Sequence, residues 1–228
     1  MMGRAEHRDG LDSLIEFRDV SFSYAAGTQR ALDHVSFQVR RGEACALTGP
    51  NGCGKSTSLR LLVGLDHPLA GEVRFDGRVV DAHAMRDAGF AKRLHQRIGL
   101  VFQDPDVQLF CPTVADEVAF GPRQMGLEPE EVERRLEDCL RLFGLLDLRD
   151  RAPWRLSGGE RRRCAIACVA SLGPDVLCLD EPTNGLDEQS RSQVLGFLRS
   201  FVAAAKTVLV ATHDEALIEG LGARVVRL

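Results

Sequence analysis

Short apolar runs and longer amphipathic stretches alternate along the chain, and their periods predict most of its elements. From Ile15 to about Val80, apolar and polar residues alternate in short stretches such as Ile15/Phe17 and Val73/Phe75, and Asp76-Gly77 is a two-residue hairpin signal. An antiparallel β layer is expected there. Within it, Ala44 to Leu47 is an unbroken apolar run of strand type, after which Leu59, Leu61, Leu62 and Leu65 recur at roughly helical spacing. Ile98 to Phe102, Val176 to Leu179 and Val208 to Ala211 are further strand-like runs, and Arg224 to Leu228 should form a final strand. Between about Asp104 and Pro153 the pattern turns helical. Its strongest stretch begins at Pro129, well placed at a first helical position, carries Val132, Leu136, Leu140 and Phe143 on one face, and should end at Gly144. Cys164, Ala167, Cys168, Ser171 and Leu172 then mark a small-residue helical face.

Chemistry concentrates where these elements meet. Gly49-Pro50-Asn51-Gly52-Cys53-Gly54-Lys55-Ser56-Thr57 fits G-x-x-x-x-G-K-[ST], with a strand before it and a helix after it. The glycines let backbone N–H groups curl around phosphate oxygens, and the helix start adds partial positive charge. Lys55 would hold the β- and γ-phosphates of a nucleotide, and the Ser56 hydroxyl would ligate Mg²⁺. Val176-Leu177-Cys178-Leu179-Asp180-Glu181 brings two acids to the carboxyl end of a strand, where α/β sheets bind ligands. Asp180 would face the metal and Glu181 would poise the attacking water. A polar strand exit is the plainer reading of that pair. Leu156-Ser157-Gly158-Gly159-Glu160 has the S-x-x-E spacing of a capping box, so a helix N-terminus preceded by an open turn is expected. Such an end binds anions without side-chain charge.

With these motifs in this order, the chain resembles an ABC-type ATPase subunit over almost its whole length. The resemblance implies a RecA-like α/β P-loop core with an antiparallel β subdomain and an inserted α-helical subdomain. It implies an ATP hydrolase using ATP and Mg²⁺. Tyr24, the single tyrosine, stands where such subunits stack a ring on adenine. Gln103 matches the glutamine that senses Mg²⁺ and the γ-phosphate, Asn184-Gly185-Leu186-Asp187 matches the D-loop, and His213 matches the switch histidine. Each has a local alternative: an amphipathic strand residue, a strand-end cap, a turn former and a helix neighbour, respectively. In the family, Ser157, Gly158 and Gly159 reach the γ-phosphate held by a second subunit, so two ATPs lie between two chains. The second subunit is expected to be another copy of this one. Glu160 replaces the commoner glutamine, with little loss expected because a carboxylate also completes the capping box. Arg161, Arg162 and Arg163 follow in the first turn, where cations oppose the helix dipole; a solvated charge run is favoured over a basic rim.

The stretch Val101 to Phe110, with Cys111-Pro112-Thr113-Val114 and Val118 to Pro122, narrows the resemblance to energy-coupling-factor importers, closest to the cobalt and nickel ATPases of the CbiO or NikO type. That implies a transmembrane coupling protein and a substrate-binding membrane subunit as partners, at the cytoplasmic face of the membrane. Val107, Leu109, Phe110 and Phe120 could anchor the coupling protein or fill the chain's own core. A vitamin such as biotin is the rival cargo, and a soluble, non-transport ABC ATPase the rival class.

Composition adds limits. The 228 residues, 44% of them hydrophobic, can bury a substantial core, and the net charge of −4 gives no reason to expect nucleic acid. Seven cysteines without paired C-x-x-C spacing read as reduced packing residues, and six histidines show no metal-site spacing. No run approaches the roughly 20 apolar residues that span a bilayer. The expected organisation is a flexible lead over 1–14 and one domain over 15–228. Residues 15–103 and 157–228 form its nucleotide-binding core, and 104–156 the helical subdomain.

Overall fold

The structure, a computed structural model, describes residues 13–25 and 30–228. Of the expected N-terminal lead, 1–12 lie outside the described residues, whereas Ser13 and Leu14 already belong to the first strand and Leu14 is buried.

Strands β1 (Ser13–Phe22) and β2 (Leu32–Arg40) pair antiparallel and stack Phe17 on Phe37, with ring centroids 4.4 Å apart. Strand β3 (Ala44–Thr48) feeds the glycine-rich loop, and α1 (Lys55–Leu62) follows it. Leu65 falls beyond that helix and is exposed. Strands β4 (Ala70–Phe75) and β5 (Arg78–Val79) form the expected hairpin: Asp76 and Gly77 both have positive φ, 52° and 74°, as a type I′ turn requires. The antiparallel sheet runs β2-β1-β4-β5.

Helix α2 (Ala88–Arg97) leads into β6 (Ile98–Val101). Then come α3 (Val114–Gln124), α4 (Pro129–Leu142) and α5 (Gly158–Ala170). The chain closes with β7 (Val176–Asp180), α6 (Glu188–Ala203), β8 (Thr207–Ala211), α7 (Glu215–Leu221) and β9 (Arg224–Arg227). A five-stranded parallel sheet has the order β6-β7-β8-β3-β9.

Strand periodicity divides the interior in two. Ala44, Ala46, Leu177, Leu179, Val208 and Val210 face a cluster shared with α3, α4, α5 and α6. Cys45, Leu47, Val176, Cys178, Leu209 and Ala211 face a second cluster shared with α1, α2 and the antiparallel sheet. Residues buried on both faces explain why these strands read as unbroken apolar runs rather than alternating ones. Helix α5 is buried well beyond the expected small-residue face, with Ala165, Ile166 and Val169 also inside. All seven cysteines are free, and burial pushes the Cys45 thiol up to about 12.

Candidate functional site

The carboxyl ends of β3, β6 and β7 converge on one cavity of about 340 Å³. Its wall includes Asn51, Gly52, Gly54, Lys55, Ser56 and Thr57 of the loop, with Tyr24, Gln103, Asp180 and Glu181 around them. His213, past the end of β8, lines a neighbouring cavity with Thr48 and Gly49. Gly54 stands at the N-cap of α1 with φ 99° and no side-chain cap, leaving the first N–H groups of the helix free for an anion. Lys55 is buried, and its Nζ donates to the Gly49 and Pro50 carbonyls at 2.9 and 3.3 Å, curling back over the loop.

Tyr24 lies past the end of β1, 62% exposed at the cavity rim, so it is not an inward strand residue. Its hydroxyl is 2.9 Å from Thr57 Oγ1, and its ring meets Phe22 edge to face. A flat ring is thereby fixed beside the loop, where a base could lie on it.

Asp180 ends β7, buried, and hydrogen-bonds the Ser56 hydroxyl. Burial raises its pKa, with the Glu181 charge acting in the same direction against Ser56, Lys55 and Arg162. A carboxylate so short of compensation favours a cation. The adjacent donors, the Ser56 hydroxyl and the Gln103 amide, are oxygen ligands too, and one carboxylate with neutral oxygens and substrate phosphates is a set that suits Mg²⁺.

Glu181 follows with φ 47°, a left-handed backbone unusual for a side chain of its size. Its N–H donates to the Ala211 carbonyl at 2.8 Å. Its carboxylate accepts from Thr212 Oγ1 at 3.2 Å and lies 2.9 Å from His213 Nδ1. An ionised Glu181 can only accept, so Nδ1 carries the proton of that bond. The His213 side chain itself is 72% exposed. Backbone strain held by several bonds is typical of working residues. Thr212 carries no motif of its own; its place between the β8 run and His213 is the one sequence signal that points to it.

The signature forms a helix start apart from this cavity. Ser157 caps α5: its Oγ accepts from the Glu160 N–H at 3.3 Å, while Glu160 Oε2 accepts from the Ser157 N–H at 2.7 Å. That backbone bond holds Glu160 below the usual carboxylate range. Ser157 and Gly158 are exposed, and neither they nor Gly159 line the phosphate cavity. Asp187 caps α6, accepting from the Ser190 N–H at 2.7 Å. A Cβ on Gly159 would touch Leu186, so the D-loop and the signature are neighbours.

The three arginines do not form a solvated run. Arg161 lies 3.3 Å from Asp106; Arg162 is buried and donates to the Phe102 carbonyl at 3.1 Å; Arg163 donates to the Phe143 carbonyl at 2.7 Å and to Gln193 Oε1 at 3.0 Å. Just past the open start of α5, all three arginine side chains are thus engaged by the protein, which a linear charge pattern does not reveal.

The family model for ABC transporters matches residues 32–184. The chain belongs to the ABC transporter family. It is an ATP hydrolase of that family, with the α/β cassette fold. It is 46% identical to the nickel import ATP-binding protein LarO of Lactiplantibacillus plantarum over 85% of this chain and 80% of that one. It is 42% identical to the energy-coupling factor transporter ATP-binding protein EcfA of Methanothermobacter thermautotrophicus, over 93% of this chain and 67% of that one. Among solved structures it resembles the ATP-binding cassette MJ0796 in a dimeric post-hydrolysis state with ADP and phosphate, with TM-score 0.83 and 29% identity over 94% of each chain. The energy-coupling-factor and nickel-import resemblance read from the sequence is thus found among named relatives.

Proposed function

We propose that two copies of this ABC ATPase close head to tail around two ATP molecules and thereby drive an energy-coupling-factor importer for nickel or cobalt ions. The observation that carries the dimer is the separation of two anion-ready helix starts. That of α1 opens into the phosphate cavity, whereas that of α5 is capped, exposed and absent from the cavity wall. A second chain can bring its α5 start to the open side of the cavity, and the dimeric cassette supports that arrangement. The metal cargo follows the similarity to the nickel import protein.

In this reading adenine stacks on Tyr24, and the loop from Gly49 to Thr57 wraps the phosphates, with Lys55 neutralising the β- and γ-oxygens. Ser56, Asp180 and Gln103 hold Mg²⁺, which when bound draws charge from those oxygens. Glu181 accepts a proton from the water that attacks the γ-phosphorus, with Thr212 and His213 fixing its carboxylate. His213 is exposed enough to reach the γ-phosphate once the dimer closes. Ser157, Gly158, Gly159 and Asp187 complete the partner's site.

Among the described residues no helix is long and apolar enough to cross a membrane. The proposed location is peripheral, at the cytoplasmic face, docked on a transmembrane coupling protein beside a substrate-binding membrane subunit. Supporting this, Val107, Phe110 and Phe120 are exposed, and the Phe110 and Phe120 rings meet edge to face at 5.0 Å, whereas Leu109 packs inward. Aromatic residues, phenylalanine included, are enriched at interface cores.

The test is Glu181→Gln, which keeps the shape and removes the base. It should bind ATP, accumulate as a dimer by light scattering, and hydrolyse at least about 100-fold more slowly. Near-normal turnover would remove Glu181 from this role.

A further inference from the structure

Strand β6 ends at Val101, so the backbone N–H and C=O of Phe102 leave the sheet immediately before Gln103. Side chains tie both groups to α5. The Phe102 N–H donates to Gln108 Oε1 at 3.3 Å, and Nε2 of the same amide donates to the Ala165 carbonyl, on α5, at 2.8 Å. The Phe102 carbonyl accepts from Arg162 Nη1 at 3.1 Å. The backbone of one residue is gripped through the peptide before it and the peptide after it, and both grips end on the signature helix.

Arg162 is costly where it stands. It is 7% exposed, and its Nε finds no hydrogen-bond partner among the described residues. Burial lowers its pKa, partly offset by the charges of Asp104, Asp180 and Glu181. An apolar side chain of similar volume would pack there at less cost, so stability alone is a poor reason for a guanidinium. Its reach to one loop carbonyl is the better reason. Gln108, for its part, lies between Val107 and Leu109 in the segment that exposes Phe110. A displacement of that segment is therefore passed to the Phe102 N–H through an amide that also holds α5.

We propose that Gln108 and Arg162 are positioning residues that clamp the Phe102 backbone from both sides, setting where Gln103 lies over the phosphate cavity and locking that setting to the signature helix. Gln103 and the start of α5 then move as one body. The inference rests on the role proposed for Gln103 above, so Gln103→Ala belongs in the same experiment.

The experiment compares Gln108→Leu, Arg162→Met, Arg162→Lys, the Gln108→Leu/Arg162→Met double variant and Gln103→Ala, each as the full chain. Melting temperature, ATP affinity and kcat at saturating ATP and Mg²⁺ are measured. Gln108→Leu and Arg162→Met should each lower kcat about tenfold with ATP affinity within about twofold, because misplaced groups cost turnover rather than binding. The double variant should lose little more than either single one, since both bonds hold the backbone of one residue. Arg162→Lys, which keeps a charge but not the reach of the fork, should fall between wild type and Arg162→Met, and it carries the test for that position if the methionine variant does not fold. Unchanged kcat in folded Gln108→Leu and Arg162 variants, alongside an impaired Gln103→Ala, would overturn the clamp while leaving the Gln103 role standing. Double-variant losses equal to the product of the single losses would also overturn it. Full activity in Gln103→Ala would sink both readings.

Discussion

Gly54→Ala isolates how the phosphate loop is held against the antiparallel sheet. Gly54 has φ 99°, and a Cβ built on it would stand 2.3 Å from Leu32 Cδ2 and 2.4 Å from the Ala31 carbonyl oxygen. Leu32 is buried, and the carbonyl is backbone, so neither gives way easily. The left-handed conformation costs an alanine about 1–2 kcal/mol. Forcing a methyl into an occupied site adds about 1–3 kcal/mol. Together, about 2–5 kcal/mol corresponds to a fall in melting temperature on the order of 10 °C for a domain of this size. Gly52 is the control: its φ is 84°, yet a Cβ there meets nothing within 4 Å. Gly52→Ala should show the conformational part alone, about 1–2 kcal/mol. The assay is calorimetry without nucleotide, paired with an ATP titration. Since α1 must shift to relieve the clash, Gly54→Ala should also bind ATP at least about tenfold more weakly, the loop N–H groups no longer converging on the phosphates. Equal melting temperatures for the two variants, or wild-type ATP affinity in Gly54→Ala, would refute the reasoning.

Two further predictions concern the ends of the molecule. Tyr24→Ala should weaken ATP binding by up to about tenfold, the worth of an aromatic stack of about 0.5–1.5 kcal/mol, while Tyr24→Phe, which loses only the bond to Thr57, should stay close to wild type. Wild-type affinity in the alanine variant would place adenine elsewhere. At the amino ends of the parallel strands, Asp76 accepts from Arg97 at 2.7 Å and from Arg41 at 2.8 Å, and the Arg97 bond leads in holding its pKa below the usual 3.8. A depressed folded-state pKa gives stability that is present above the unfolded value and lost as pH falls through the folded one. The melting-temperature gap between wild type and Asp76→Asn should therefore hold from neutral pH to about pH 4 and close below it; a gap that widens on acidification would contradict this.

The fold was legible where a local period decides it. Unbroken apolar runs marked β3, β7 and β8, the Asp76-Gly77 turn marked the β4–β5 hairpin, and Val132, Leu136 and Leu140 marked α4. The phosphate loop and the Asp180-Glu181 strand end were legible for the same reason: backbone geometry and chemistry share one short stretch. What stayed hidden depends on partners distant in the chain. Nothing in Arg161-Arg162-Arg163 announces that the middle residue turns inward to the Phe102 carbonyl, because a charge run is silent about which side of its helix is covered. Leu109 and Phe110 are adjacent and apolar, yet one packs inward and the other is 68% exposed. Thr212 and Gln108 matter through bonds across 31 and 57 positions, beyond any motif. The position after Asp180 marks Glu181 as the candidate base, but its left-handed backbone and its grip by Thr212 and His213 emerge only in three dimensions.

The claim that each site is built by two chains can be tested by complementation. Ser157→Arg blocks the α5 helix start, and Lys55→Ala removes the phosphate-binding cation; each protein alone should be inactive. In a mixed dimer one site combines the intact phosphate loop of the first variant with the intact signature of the second, and the other site carries both defects. Equal mixing should therefore restore ATP hydrolysis to roughly a quarter of wild type, since about half the dimers are mixed and each has one whole site. Hydrolysis that stays at the level of the separate variants, or full activity in Ser157→Arg alone, would show that the signature of one chain does not serve the phosphate loop of another.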